Sequence, residues 1–385
     1  MIDLDSVAPF LEPHHRGVAE AAQTFASQVL APMGHPKDDT DARRQARSIV
    51  EALGKAGLVK HAHPLDLRAC CLVREALAFQ SPLADDIYAL QCLGSTPIAS
   101  AGNQRQQETY VAGAVSGQLM AGFAMTEPDA GSDVASLHTR AKKTRTGWKL
   151  HGHKTLISNA GIADFYSVFA STDAASGHRG ISCFVVPKNA PGLLFEKAQV
   201  LSNPHPLGEL FFDDVEVPED ALVGELGGGF KLGMATLDSL RTTVAAAAAG
   251  MATRALEEAT AWSLSRKQFG APIADLQLIQ AKLARMVTEL SASRLLIYRA
   301  AHEKDTQGGR VSLPCAMAKL HATESAQRII DDAVQIFGGR GVLAESVVDQ
   351  LYRAIRPLRI YEGTSEVQHL VIARGWLKAF QSRAH

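Results

Sequence analysis

Net charge is almost absent from this sequence: 39 Lys and Arg against 40 Asp and Glu leave a formal charge of -1. That balance gives a polyanion no footing, so no nucleic-acid partner is expected. Cysteine is scarce. The five, Cys70, Cys71, Cys92, Cys183 and Cys315, are odd in number and form no C-x-x-C pair, which argues against a disulfide or zinc framework and suits a reducing compartment. Long apolar runs are missing as well. The longest small-apolar stretch, Val244 to Ala252, is far shorter than a bilayer span, so no membrane association is expected. The opening "MIDLDSVAPFLEPHHRG" has no basic n-region and no apolar h-region, and does not read as a secretory or transit signal. A cytoplasmic location is the expectation. No P-loop, no G-x-G-x-x-G after a strand and no metal-ligand spacing is found, so neither a nicotinamide cofactor nor a metal is expected.

What is present is a chain of 385 residues with ordinary globular composition, 46% hydrophobic and 21% charged, long enough for two or three domains. Its texture changes twice. From about 12 to 118, "RGVAEAAQTFASQVL", "DARRQARSIVEALGKAGL" and "LRACCLVREALAFQ" carry apolar residues at three- and four-residue steps, a helical period. From about 119 to 226, "GWKLHGHKTLIS", "DFYSVFAST", "GISCFVVP" and "GELFFDDVEVP" are short, β-branched or aromatic, and bounded by turn residues; they read as antiparallel strands. Beyond about 227 helices return. In "DLQLIQAKLARMVTEL", Leu276, Ile279, Leu283, Met286, Val287 and Leu290 share one face. About four such helices fit, a bundle's worth. The alanine run predicts a place where two helices pack closely. Helices, then strands, then helices exclude a parallel doubly wound sheet and give an α+β, mostly α fold: an N-terminal helical domain (1–118), a central antiparallel β-barrel-like domain (119–226) and a C-terminal four-helix bundle (227–385).

Four segments carry candidate chemistry, each with an ordinary structural reading beside it. "AMTEPDAGSD", Ala124 to Asp133, leaves a strand for a loop whose hydroxyls and backbone N–H groups can hold phosphate oxygens or the edge of a flat ring; a solvated β-turn looks the same. In "SRKQFGAPIADLQ", Arg266 at a helix end can clamp a pyrophosphate, or simply complement the helix dipole. "QIFGGRGV", Gln335 to Val342, is a glycine-rich helix stop. "RIYEGTSEVQ" sets Glu362 between Tyr361 and Gly363, the composition of a surface turn as much as of an active site.

In this order and spacing, the four segments together resemble the acyl-CoA dehydrogenase family, and the resemblance extends from "LVREALAFQSPLADD" and "GNQRQQETYVAG" to "YEGTSEVQ". It implies an FAD enzyme that removes a proton from the carbon α to a CoA thioester and a hydride from the β carbon. Glu362 falls on the catalytic base. Phe123, Met125, Thr126, Gly131 and Ser132 resemble the loop lining the flavin and its phosphates; Leu156, Ile157 and Ser158 resemble the strand at its other side, with the Ser158 hydroxyl near ring nitrogen N5. Arg266, Gln268, Phe269, Leu276, Gln277, Gln335, Ile336, Gly338 and Gly339 resemble FAD contacts made across a subunit interface, and Thr364 and Glu366 a further FAD contact. Ser132, Asp238, Arg241 and Gly363 resemble substrate contacts. The resemblance further implies a homotetramer or homodimer and an electron-transfer flavoprotein as electron acceptor.

This chain departs from the pattern at several positions. Leu156 stands where many members have tryptophan, and Ala354 where aspartate is common. Leu240 occupies the position that a minority of members use for the base, and a leucine cannot act as one. No arginine lies between Pro82 and Gln104, which disfavours a dicarboxylyl-CoA substrate. An oxygen-using oxidase on the same fold, or a non-catalytic flavin- or nucleic-acid-binding relative, are the competing readings. Neutral charge and an intact Glu362 count against the second.

Overall fold

The computed structural model of the protein describes residues 4–309 and 311–383; the expected outer domain limits at 1 and 385 lie outside the described residues. The chain is mostly helical with one eight-stranded sheet, and divides into two compact units that do not follow chain order. One comprises Met1–Pro32, Asp66–Asp85 and Ser239–His385; the other comprises Met33–Leu65 and Asp86–Asp238.

The helical unit is organised on helix Leu67–Gln80, in which every residue from Leu67 to Ala78 is buried. A helix apolar on nearly all sides belongs inside a core. Its few charges are therefore paired. Glu75 accepts from Arg294 Nε at 2.7 Å and from the Tyr298 hydroxyl at 2.8 Å, and Arg68 Nε reaches Asp305 at 2.9 Å. Asp66 caps the helix by accepting the Ala69 N–H at 3.0 Å, worth about 1 kcal/mol. Packed on this helix is the 37-residue helix Gly229–Ser265. The alanine run does mark a close helix contact: a Cβ on Gly250 would stand 2.2 Å from the Glu75 carbonyl oxygen. Helices Gln277–Gln307, Ser312–Phe337 and Ser365–Arg383 follow, with a short helix Val347–Ile355 between the last two. One expectation is only half met. Of the apolar face read over 276–290, Met286 and Leu290 are buried, but Leu276 and Val287 are 42% and 51% exposed. The apolar stripe is wider than the surface that the rest of this chain covers.

The second unit holds an eight-stranded sheet. Its strands are β1 (Ala121–Ala124), β2 (Arg140–Lys143), β3 (Gly147–Ser158), β4 (Phe165–Ser171), β5 (Ile181–Pro187), β6 (Leu193–Ala198), β7 (Leu207–Pro218) and β8 (Leu222–Val223), in the order β6-β7-β3-β2-β4-β5-β8, with β1 beside β4. The four strand segments read from the sequence pair antiparallel, β3 with β7 and β4 with β5. β1 runs parallel to β4, and β2 meets β4 parallel at Arg140 and Ser171. These two pairings are longer crossovers rather than hairpins. The β3–β7 ladder shifts register between Lys154 and Ile157, and Leu156 within that bulge has φ 55°. A bulge of this kind re-aims a side chain, and Leu156 is 55% exposed.

Candidate active site

Among the described residues, only five non-glycine residues adopt left-handed φ: Leu156, Asn159, Asp214, Phe269 and Glu362. Each costs on the order of 1–3 kcal/mol and persists only where surrounding structure enforces it. Leu156, Phe269 and Glu362 are residues that the sequence marks for cofactor or catalysis.

Glu362 sits in the turn before helix Ser365–Arg383, with φ 52°, and Gly363 follows at φ 92°. Both carbonyls are held by buried side chains. Lys319 Nζ donates to the Gly363 oxygen at 2.7 Å, and Gln368 Nε2 donates to the same oxygen at 3.0 Å. Arg241 Nε donates to the Glu362 oxygen at 3.3 Å. The backbone is thus pinned, while carboxylate Oε2 is buried without a hydrogen-bond partner among the described residues. An unpaired buried carboxylate oxygen is costly to keep ionised. Burial accordingly raises the Glu362 pKa above its ordinary 4.5, against the opposing pull of Arg74, Arg241 and Lys319. Burial in turn pushes Lys319 down to about 8. Arg74 is itself tied to Asp85 by two bonds of 2.7 Å and to Thr243 Oγ1 at 3.0 Å. The structure therefore brings together Glu362, Gly363 and Arg241 from the expected set, and adds Lys319, Gln368, Arg74 and Asp85. Sequence reading missed these four; a lysine inside the small apolar run "CAMAKLHA" was the one visible signal. Leu240 is buried, and Ser365 donates to Glu324 at 2.5 Å beside the exposed Glu366.

In the sheet unit, the loop after β1 is braced from behind. Lys154 and Glu127, both buried, meet at 2.8 Å; Lys154 also donates to the Met125 carbonyl at 3.0 Å. Glu127 accepts the backbone N–H groups of His138 at 2.5 Å and Thr139 at 2.9 Å. The Thr155 N–H donates to the Thr126 carbonyl at 3.1 Å, which sets Met125 and Thr126 beside the strand carrying Leu156, Ile157 and Ser158. Phe123 packs on Phe169 with ring centroids 5.0 Å apart, and Met125 and Ile157 are buried. Gly131 and Ser132 are exposed, and a Cβ on Gly131 would meet nothing within 4 Å. Asp238 is half-buried. A braced backbone with an open glycine and an exposed apolar residue at a bulge fits a phosphate-bearing, flat-ringed cofactor such as FAD.

The residues expected at a subunit interface lie in the helical unit. Arg266, Gln268 and Phe269 are exposed on a small hairpin after the long helix, Phe269 at 96%. Leu276 and Gln277 follow, both exposed. Trp262 stacks on Phe337 at 5.1 Å and Arg340 covers Trp262 at 5.5 Å, which places the Gln335–Gly339 turn beside that hairpin's helix. Gln335, Gly338 and Gly339 are exposed; the Ile336 side chain is core, 5% exposed. Thr364 is half-buried next to Gly363.

One His-rich cluster has metal-like spacing: His14 and His15 both reach Asp66, at 2.9 Å and 3.1 Å. His15 Nδ1 accepts the Glu12 N–H at 2.8 Å, so its proton is on Nε2, engaged with Asp66. That nitrogen has no lone pair to offer a metal; the cluster ties the helix cap at Asp66 to helix Pro13–Phe25. Among the described residues, no helix is long and apolar enough to cross a membrane.

Comparison with known proteins agrees along the whole chain. Residues 12–118, 122–215 and 227–377 match, in turn, the N-terminal, middle and C-terminal domains described for acyl-CoA dehydrogenase. The 3-(aryl)acrylate reductase of Clostridium sporogenes is 37% identical over 96% of this chain and 100% of its own. Butyryl-CoA dehydrogenase from Megasphaera elsdenii has a solved structure that superposes with a TM-score of 0.89 at 33% identity, covering 95% of this chain and 99% of that one. A glutaryl-CoA dehydrogenase from Mycobacterium smegmatis, solved in complex with FADH2, gives a TM-score of 0.87 at 26% identity over 97% of this chain and 96% of that one. With a pinned Glu362 whose Oε2 has no partner among the described residues, and three domain matches in register, this chain belongs to the acyl-CoA dehydrogenase family of oxidoreductases.

Proposed function

We propose that the protein carries out FAD-dependent α,β-dehydrogenation of an acyl-CoA thioester to the trans-2-enoyl-CoA. The observation that carries this is the Glu362 carboxylate, whose buried Oε2 has no hydrogen-bond partner among the described residues and whose pKa is raised by burial. Such an oxygen is a base with nothing else to bind, matched to a weakly acidic α-proton. In the reaction the α C–H electron pair becomes the new C=C bond as Glu362 takes the proton, and the β hydrogen leaves with its electrons. Bound FAD supplies the acceptor for that hydride. Backbone pinning by Lys319, Gln368 and Arg241 keeps the carboxylate in place, and the Glu362 N–H is the donor this chain offers to the thioester oxygen as enolate charge develops.

Met125, Thr126, Gly131 and Ser132, with Leu156, Ile157 and Ser158, hold the flavin; Arg266, Gln268, Phe269, Leu276, Gln277, Gln335, Gly338 and Gly339 hold the FAD of a second copy. The exposure of Phe269, Leu278 and Val342, at 96%, 81% and 67%, is in keeping with that assembly, since apolar surface left bare in a larger patch marks an interaction site. Electron-transfer flavoprotein is the acceptor this reading assigns.

The purified protein is expected to be yellow, and acyl-CoA should bleach it without oxygen. Glu362→Gln should keep the colour and abolish bleaching; undiminished bleaching in that variant would remove Glu362 from the reaction.

A further inference from the structure

Ser158 closes β3, and its hydroxyl is not alone. Oγ lies 2.7 Å from Nε2 of His205, and Nδ1 of the same ring lies 3.5 Å from Asp86 Oδ2, in helix Pro82–Ala101. All three residues belong to the sheet unit. His205 is buried at 6% exposure, and burial, with Arg43 adding to it, pushes its pKa down to about 4. The ring is neutral at physiological pH, so one nitrogen carries the proton and the other a lone pair.

Asp86 decides which. A bare Nδ1 lone pair facing a carboxylate is repelled, whereas an Nδ1–H dipole is attracted, even at a separation too long for a full hydrogen bond. The proton therefore resides on Nδ1, and Nε2 is left as an acceptor. The short contact then fixes the serine: its hydroxyl hydrogen goes to Nε2, and its oxygen presents lone pairs to whatever faces it. His15 shows the opposite choice, where a backbone N–H on Nδ1 holds the proton on Nε2.

We propose that Asp86 and His205 are positioning residues that make the Ser158 hydroxyl an acceptor toward flavin N5 and thereby favour the reduced cofactor. The inference rests on the reading above that Ser158 meets N5. That nitrogen bears a hydrogen only in the reduced ring and a lone pair in the oxidised ring. A serine free to rotate serves both states. A serine committed to His205 serves only the first. The consequence is a higher flavin reduction potential than an unbacked serine would give, a tuning that this chain makes with "PHP" at 204–206.

The test is the FAD midpoint potential, measured by dye equilibration on the FAD-loaded protein, for wild type, His205→Phe, Asp86→Ala, Ser158→Ala and the Ser158→Ala/His205→Phe double variant. His205→Phe should disfavour the reduced form about tenfold, a fall of about 30 mV for two electrons. Asp86→Ala should move the potential the same way by less, and stands in if the Phe variant does not take up FAD. In the double variant, His205→Phe should add nothing to Ser158→Ala, because its effect passes through the hydroxyl. A shifted Ser158→Ala with unshifted or raised His205→Phe and Asp86→Ala values would overturn this inference and leave the serine–flavin contact standing. An unshifted Ser158→Ala would instead overturn that contact, and the inference with it.

Discussion

Replacing Gly363 by alanine tests whether the backbone beside the proposed base must be glycine. Gly363 has φ 92°, and a Cβ there would stand 2.4 Å from Gln368 Nε2. Two separable penalties follow. The left-handed backbone costs an alanine roughly 1–2 kcal/mol. The clash must push the Gln368 amide away, breaking its 3.0 Å bond to the Gly363 carbonyl at about 1 kcal/mol, or more because Gln368 is fully buried. Gly363→Ala should therefore lose about 2–4 kcal/mol in denaturant unfolding. Lys319 still holds the same carbonyl, so the turn should shift rather than open. A displacement near 1 Å at Glu362 is worth roughly 100-fold in rate, to be read as slower anaerobic bleaching in stopped flow. In a Gln368→Ala background the clash disappears and only the backbone penalty should remain. A Gly363→Ala protein with the parent's unfolding midpoint and bleaching rate would refute the whole account of this turn.

Other outcomes follow from the same geometry. Lys154→Met leaves Glu127 buried and charged, so it should cost about 3–5 kcal/mol and lower the FAD-to-protein absorbance ratio; retention of both would show that the brace behind the 125–126 loop is dispensable. Asp85→Asn strands Arg74 and should destabilise by a similar amount, while the apolar double variant Arg74→Met/Asp85→Leu should be milder than the single change; the reverse ranking would contradict a buried ion pair. Because burial raises the Glu362 pKa above 4.5, bleaching should speed up as pH rises through that higher value if Glu362 is the base; an acid limb at 4.5 or below would refute it. The linked stability has the opposite sign: a raised carboxyl pKa makes the fold most stable below 4.5 and weaker as pH climbs through the folded value, so Glu362→Gln should flatten that decline.

Much of the fold was legible because period carries it. The four strand segments alternate or run apolar between turn residues and appear as β3, β4, β5 and β7. β6 was not read, since five of its six residues are exposed and no alternation marks it. Nor could period reveal the parallel neighbours of β4, which depend on where distant segments meet. The site divides in the same way. Locally, Glu362 reads as a turn residue, and a left-handed turn is what it occupies; only likeness to a family marked it as a base. Of the side chains that hold the two candidate sites, Gln368 lies in the same segment, but the others come from elsewhere in the chain. Lys319 is 44 residues from Gly363, His205 is 47 from Ser158, and neither type of contact leaves a spacing to read.

The left-handed backbone at Leu156, Phe269 and Glu362 has a practical consequence for anyone breeding a hardier version of this protein. Heat selection without a catalytic screen will converge on these codons, because glycine or asparagine relaxes the chain there. The clones that survive boiling best should then be the ones that have forgotten the reaction.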